Sequence, residues 1–224
     1  YIGAWLASTA EKRKELLDEC WKLYLNSLET HERNNDESGY VKTCNTFLDR
    51  VGELVELFAS DWGEQERVTK KALELGEKTI AKASVLGDDY ELARAYAFTS
   101  HFCSTAYFFG RSDEERKSCE EKSSKYAQKA LEISEKLKDA YLINDALSAA
   151  FNCPLGASDP MTALKYAKEA LQCARTSKDH FDMGMALYGL GNVMNSLAFM
   201  QEDPSKKREA FSKAIEALQK AEYH

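Results

Sequence analysis

The chain has 224 residues, 44% hydrophobic and 30% charged, with a formal net charge of −7 and three prolines; so large an apolar share excludes intrinsic disorder, and the length allows a sizeable core. No apolar run approaches the roughly 18 residues that cross a bilayer, and an acidic chain lacks the clustered Lys and Arg that nonspecific nucleic-acid binding requires, so neither membrane nor nucleic acid is an expected partner. Alanine (28), leucine (24) and glutamate (24) far outnumber valine (6) and isoleucine (5), a balance that favours helix over sheet.

Tyr1 stands where a full chain begins with Met, and no charged segment leads into an apolar one, so the chain reads as a fragment with no signal peptide in it. Residues 1–8 read as the tail of a helix of one kind, A. Further A helices are expected at about 37–59, 89–109, 140–153 and 180–200. Helices of a second kind, B, alternate with them at about 9–33, 62–86, 113–137, 160–177 and 204–222. Start signals precede each B helix: Ser8 with Glu11, Asp61 with Glu64 and Ser112 with Glu115 form capping boxes, and Asp159-Pro160 and Asp203-Pro204 place a cap before a proline at the first helical position. The remaining proline, Pro154, closes an A helix. Short links make neighbouring helices antiparallel.

The B helices share a pattern of small residues four and then three apart, followed by an aliphatic. It runs through Cys20, Tyr24 (the bulky exception), Ser27 and Leu28, then Ala72, Gly76, Thr79 and Ile80, then Ser123, Ala127, Ala130 and Leu131. Two more copies follow, Ala163, Ala167, Ala170, Leu171 and Ala210, Ala214, Ala217, Leu218, the five being offset by 52, 51, 40 and 47 residues. Such spacing places small side chains on one helical face, where another helix approaches closely. Asp36, Asp88, Asp139 and Asp179 follow the first four B helices in the same register, each positioned to cap the next A helix. The chain therefore reads as one domain, 1–224, of five repeats at about 1–36, 37–87, 88–138, 139–178 and 179–224.

The last unit resembles a tetratricopeptide repeat. Its A helix reads Leu187-x2-Leu190-Gly191-x2-Met194 against the family's W-x2-L-G-x2-Y, and its B helix carries Ala210-x3-Ala214-x2-Ala217. The stretch 163–171, ALKYAKEAL, fits the family's B helix as closely. The units are longer than the family's repeat of about 34 residues, and Gly191 to Ala210 spans 19 residues where the family has 12, an excess near two helical turns that keeps the apolar stripe in phase. Residues 125–222 carry the resemblance in detail and the rest in pattern. Long-helix units of this kind are similar to those of adaptor proteins whose repeats join through a Gly-Asp turn, as at Leu86-Gly87-Asp88, and to sensor arrays of STAND-type signalling ATPases. The resemblance implies an all-α, right-handed solenoid whose A helices line a concave partner-binding groove.

Thirteen places after the repeating Asp stand Asp49, His101, Asn152 and Asn192. In the family this position faces the groove, and Asn192 matches the Asn used there for backbone or carboxylate contacts. Asn45, Ser148, Tyr188, Ser104 and Asn195 lie one turn away. A line of hydrogen-bonding groups suits an extended peptide with unpaired backbone groups. The Lys of a carboxylate clamp is missing one turn earlier, where Asn45, Ala97, Ser148 and Tyr188 stand.

Other features read as structural. The aromatic run Tyr96, Phe98, Phe102, Tyr107, Phe108 and Phe109 has the helical spacing of core residues, with Phe108 and Phe109 at a helix end where a local anchor is the alternative. His31, His101, His180 and His224 show no metal-ligand spacing, and Gly189-Leu190-Gly191 falls inside a helix, so neither a metal nor a nucleotide cofactor is expected. Cys20, Cys44, Cys103, Cys119, Cys153 and Cys173 contain no C-x-x-C pair and read as reduced packing thiols, which points to the cytoplasm. The expected function is a non-enzymatic scaffold that binds a peptide or protein in its groove. The alternative is a ligand-sensing or regulatory domain working with other domains of a longer chain.

Overall fold

The computed structural model describes residues 10–57, 61–152, 160–178 and 180–221, and among them every regular element is an α-helix. In chain order these are α1 (Ala10–Arg33), α2 (Glu37–Leu57), α3 (Trp62–Leu86), α4 (Asp89–Tyr107), α5 (Asp113–Leu137), α6 (Ala140–Asn152), α7 (Pro160–Ser177), α8 (His180–Met200) and α9 (Pro204–Ala221). The expected boundaries agree to within two residues. The A helix at 1–8, the caps at Ser8, Asp159 and Asp179, and both Cys153 and Pro154 lie outside the described residues.

Each described start signal acts as its chemistry requires. The Asp61 carboxylate accepts from the Glu64 N–H at 3.0 Å, Ser112 Oγ from the Glu115 N–H at 3.2 Å, and Asp203 from the Ser205 N–H at 2.8 Å. The repeating aspartates do the same for A helices: Asp36 accepts from Gly39, Asp88 from Glu91 and Asp139 from Leu142, at 2.8, 3.1 and 3.0 Å. The residue before each repeating Asp is left-handed, with φ of 53° at Asn35, 67° at Gly87, 56° at Lys138 and 58° at Lys178. One left-handed residue followed by an Asp cap is thus the common B-to-A joint. Gly87 and Asn35 announce it in the sequence, whereas Lys138 and Lys178 do not, because Lys is an uncommon occupant of that conformation.

Every helix packs on its chain neighbours, and the A helices also pack on each other, α2 on α4, α4 on α6 and α6 on α8. Among the described residues, no two B helices pack that closely. Ala127, Ala130, Ala163, Ala167 and Ala170 are buried, as are Ala72 and Gly76, so the small-residue stripe is the B helices' packing face. At Gly76 a methyl group would collide with Thr99 of α4, which is why this crossing needs no side chain. Phe47 is fully buried in the first core cluster, stacked on Tyr24 at 4.3 Å and edge-on to Trp21 at 4.7 Å. Where B helices face one another, long charged side chains span the gap: Asp18 to Arg67 at 2.9 Å, Glu32 to Lys78 at 2.6 Å and Glu77 to Lys122 at 2.8 Å. No described helix is long and apolar enough to cross a membrane. The described cysteines are free thiols, with Cys44 and Cys103 buried; burial pushes the Cys44 thiol up to about 11, beyond reach of ordinary thiolate chemistry.

Candidate functional site

The A helices present their equivalent positions side by side, so the residues expected to form one row can be placed individually. Asp49, His101 and Asn192 are half-buried at corresponding positions of α2, α4 and α8; Asn152 closes α6, with its side chain outside the described residues. Asp49 lies 3.9 Å from Arg50. His101 is wedged between helices: its ring lies against the α2 backbone at Gly52, 3.7 Å from where a Cβ would stand, and edge-on to Phe102. Burial there pushes its imidazole below the usual histidine range, favouring the neutral form.

The flanking residues divide. Tyr188 is 49% exposed, Asn195 is exposed and Ser148 half-buried, so these three are accessible on the A-helix face. Asn45 and Ser104 are not. Asn45 is fully buried between α2 and α4, where its Nδ2 donates to the Glu91 carbonyl at 2.8 Å and to Glu91 Oε2 at 2.7 Å. It is a pin between repeats and has no access to a groove ligand. Ser104 belongs to a buried hydroxyl cluster with Ser123 and Ser100, at 2.9 Å from Ser123 Oγ. Both corrections have one cause, that successive A helices are not covered equally: the position nine places after the repeating Asp goes from buried Asn45 and Ala97 through Ser148 to exposed Tyr188, and the position sixteen places after it from buried Ser104 to exposed Asn195.

The structure brings forward a group that the thirteen-place offset does not reach. Tyr90 and Tyr141 occupy equivalent places two residues after the repeating Asp, and each is 39% exposed. Arg94 and Asp145 occupy equivalent places four residues further on. Arg94 is held by Glu91 at 3.3 Å and lies over the Phe98 ring at 5.5 Å, and Glu91 in turn is held by Asn45. These residues share one electrostatic neighbourhood. Burial pushes the Tyr141 hydroxyl well above the usual tyrosine range; the charges of Asp145 and Asp49 push the same way and Arg94 opposes them. Burial also raises Tyr90, and Arg94 opposes it. The result is a patch crossing α2, α4 and α6 with two accessible phenol rings beside charges of both signs. The signal was present in the sequence as the recurrence of Tyr two places after Asp88 and Asp139.

The aromatic run divides as well. Tyr96 and Phe102 are core, Phe98 packs against the first cluster, and Phe108 is exposed at the end of α4, while Phe109 meets Trp62 edge-on at 5.7 Å. Gly189 and Gly191 are buried inside α8. Among the described residues, no group of three or more His, Cys, Asp or Glu side chains gathers as metal ligands would.

No family model matches the chain, and no curated protein matches it. Among solved structures, a de novo designed helical repeat protein aligns over 95% of this chain and 91% of its own length, with a TM-score of 0.48 and 20% identity. A circular tandem repeat protein with a novel repeat topology and enhanced subunit contact surfaces aligns over 94% of this chain and 53% of its own, with a TM-score of 0.42 and 15% identity.

Proposed function

We propose that this chain is a non-enzymatic, tetratricopeptide-like interaction module that holds an extended peptide or protein segment across its A-helix face, in the cytoplasm and alongside other domains of a longer chain. The observation that carries this reading is the pair Tyr90 and Tyr141, equivalent, accessible and set beside Arg94, Asp145 and Asp49. Flat phenol rings supply contact area at low entropic cost, and the charges beside them supply direction and register. The Asn45–Glu91–Arg94 chain of bonds fixes Arg94 before any partner arrives, which lowers the ordering cost of binding.

The test is selection of displayed peptides on the folded chain, counter-selected on a Tyr90→Ala/Tyr141→Ala variant. Peptides retained by the first and lost by the second support the reading. Equal retention, or no enrichment at all, refutes it.

A further inference from the structure

The layer of B helices is open between α1 and α3. The two helices are tied near one end by Asp18–Arg67 and Lys14–Glu64, at 2.9 and 3.6 Å, and near the other by Glu32–Lys78 at 2.6 Å. Between the ties lies a cleft of about 370 Å³, within the size range of small-molecule sites. Its apolar lining is Trp21, Leu25, Leu28, Tyr40 and Leu75, and Leu25 is 40% exposed.

The charged residues around the cleft are Glu29, Glu32, Lys71, Glu74 and Lys78. Three are already occupied: Glu32 with Lys78, and Glu29 with Arg33 at 3.1 Å. Lys71 and Glu74 have no ion-pair partner among the described residues. They stand one turn apart on α3, and the Lys71 ammonium lies 5.4 Å from the centroid of the Trp21 ring. The floor is open at Leu25 and Leu75, with the edge of the 8%-exposed Trp21 beneath Lys71, and one wall carries one cation and one anion that form no ion pair among the described residues.

We propose that this cleft binds a free α-amino acid with a bulky apolar side chain. The carboxylate pairs with Lys71, the ammonium with Glu74, and the side chain covers Trp21, Leu25 and Leu75. An apolar acid would satisfy Lys71 while setting its carboxylate near Glu74, and an apolar amine would do the reverse. Only a zwitterion uses both charges. The site lies between B helices, away from Tyr90 and Tyr141, and does not depend on the reading of the A-helix face.

The experiment is an NMR titration of the whole chain that follows the Trp21 indole N–H. The probes are L-phenylalanine, 3-phenylpropionate and phenethylamine, which share a ring and differ in charge. Phenylalanine is expected to give a saturable shift, with each singly charged probe about three- to fivefold weaker, the worth of one exposed ion pair. Lys71→Gln should abolish the advantage over phenethylamine and keep that over phenylpropionate. Glu74→Gln should do the converse. The proposal is overturned by the absence of a saturable shift with phenylalanine, by a singly charged probe binding as tightly, or by variants that discriminate as the wild type does. Equal response to all three probes would mark a cleft that takes any apolar group, such as a partner's helix, and refutes it too.

Discussion

Replacing Asn45 by Ala separates the two roles this residue has been given, groove contact and buried pin. Two bonds go: one to the Glu91 carboxylate, worth about 1.5–3 kcal/mol, and one to its carbonyl, worth about 0.5–1.5 kcal/mol. Asn45 Oδ1 is buried without a partner, so its removal returns roughly 1 kcal/mol. The net loss is about 2 kcal/mol, which for a chain of this size lowers Tm by roughly 4–8 °C. Urea unfolding followed by far-UV circular dichroism, with calorimetry for Tm, measures it. A second measurement isolates the contact: Asn45→Ala combined with Glu91→Ala should fall short of additivity by about 1 kcal/mol, because either change alone removes the bond to the Glu91 carboxylate, while the bond to the Glu91 main-chain carbonyl survives in Glu91→Ala. A loss below about 0.5 kcal/mol, or full additivity, would refute the pin and return Asn45 to the candidate groove.

Two further predictions concern the joints and the wedge. Lys138→Gly should raise stability by about 0.5–1 kcal/mol, since relief of a left-handed side chain at φ 56° outweighs the added freedom of the unfolded chain; denaturant midpoints read this directly. His101 is held neutral by burial, so the unfolded chain takes up a proton that the folded chain does not, and stability should fall as pH drops below about 6.5, towards the lowered folded value. His101→Gln should flatten that slope in stability measured from pH 7.5 to 5, and an unchanged slope would show that the ring is not the group responsible.

The helical array was legible because its signals are local and repeated. Capping residues, small-residue faces and the recurring Asp each specify a few φ/ψ angles or one packing face, and their common register reveals the repeat length. The joints were half legible. Asp36, Asp88 and Asp139 show the caps, but the left-handed residue before them is Asn35, Gly87 or Lys138, and the lysine gives no sign of it. The site was less legible still, because equivalence in register does not bring equal burial. The same place carries Asn45 buried and Tyr188 exposed, and what covers a residue is the neighbouring helix, not its own. His101 shows the same limit: its spacing says A-helix face, and Gly52 of another helix lies against the ring and leaves it half-buried.

The two faces of the array are joined by different forces, and this bears on where each site can work. A helices meet through tightly buried contacts such as Asn45 with Glu91, so a patch spanning α2, α4 and α6 keeps its geometry in the absence of a partner. That is the property a recognition surface needs, because rigidity before binding saves the cost of ordering. B helices meet through exposed pairs, Lys78 with Glu32 and Lys122 with Glu77, each worth at most about 1 kcal/mol. A gap held by such pairs widens or narrows at little cost. A ligand seated between α1 and α3, as proposed, would therefore act on the layer held by exposed pairs, next to α2, which packs on both α1 and α3 and directly on α4.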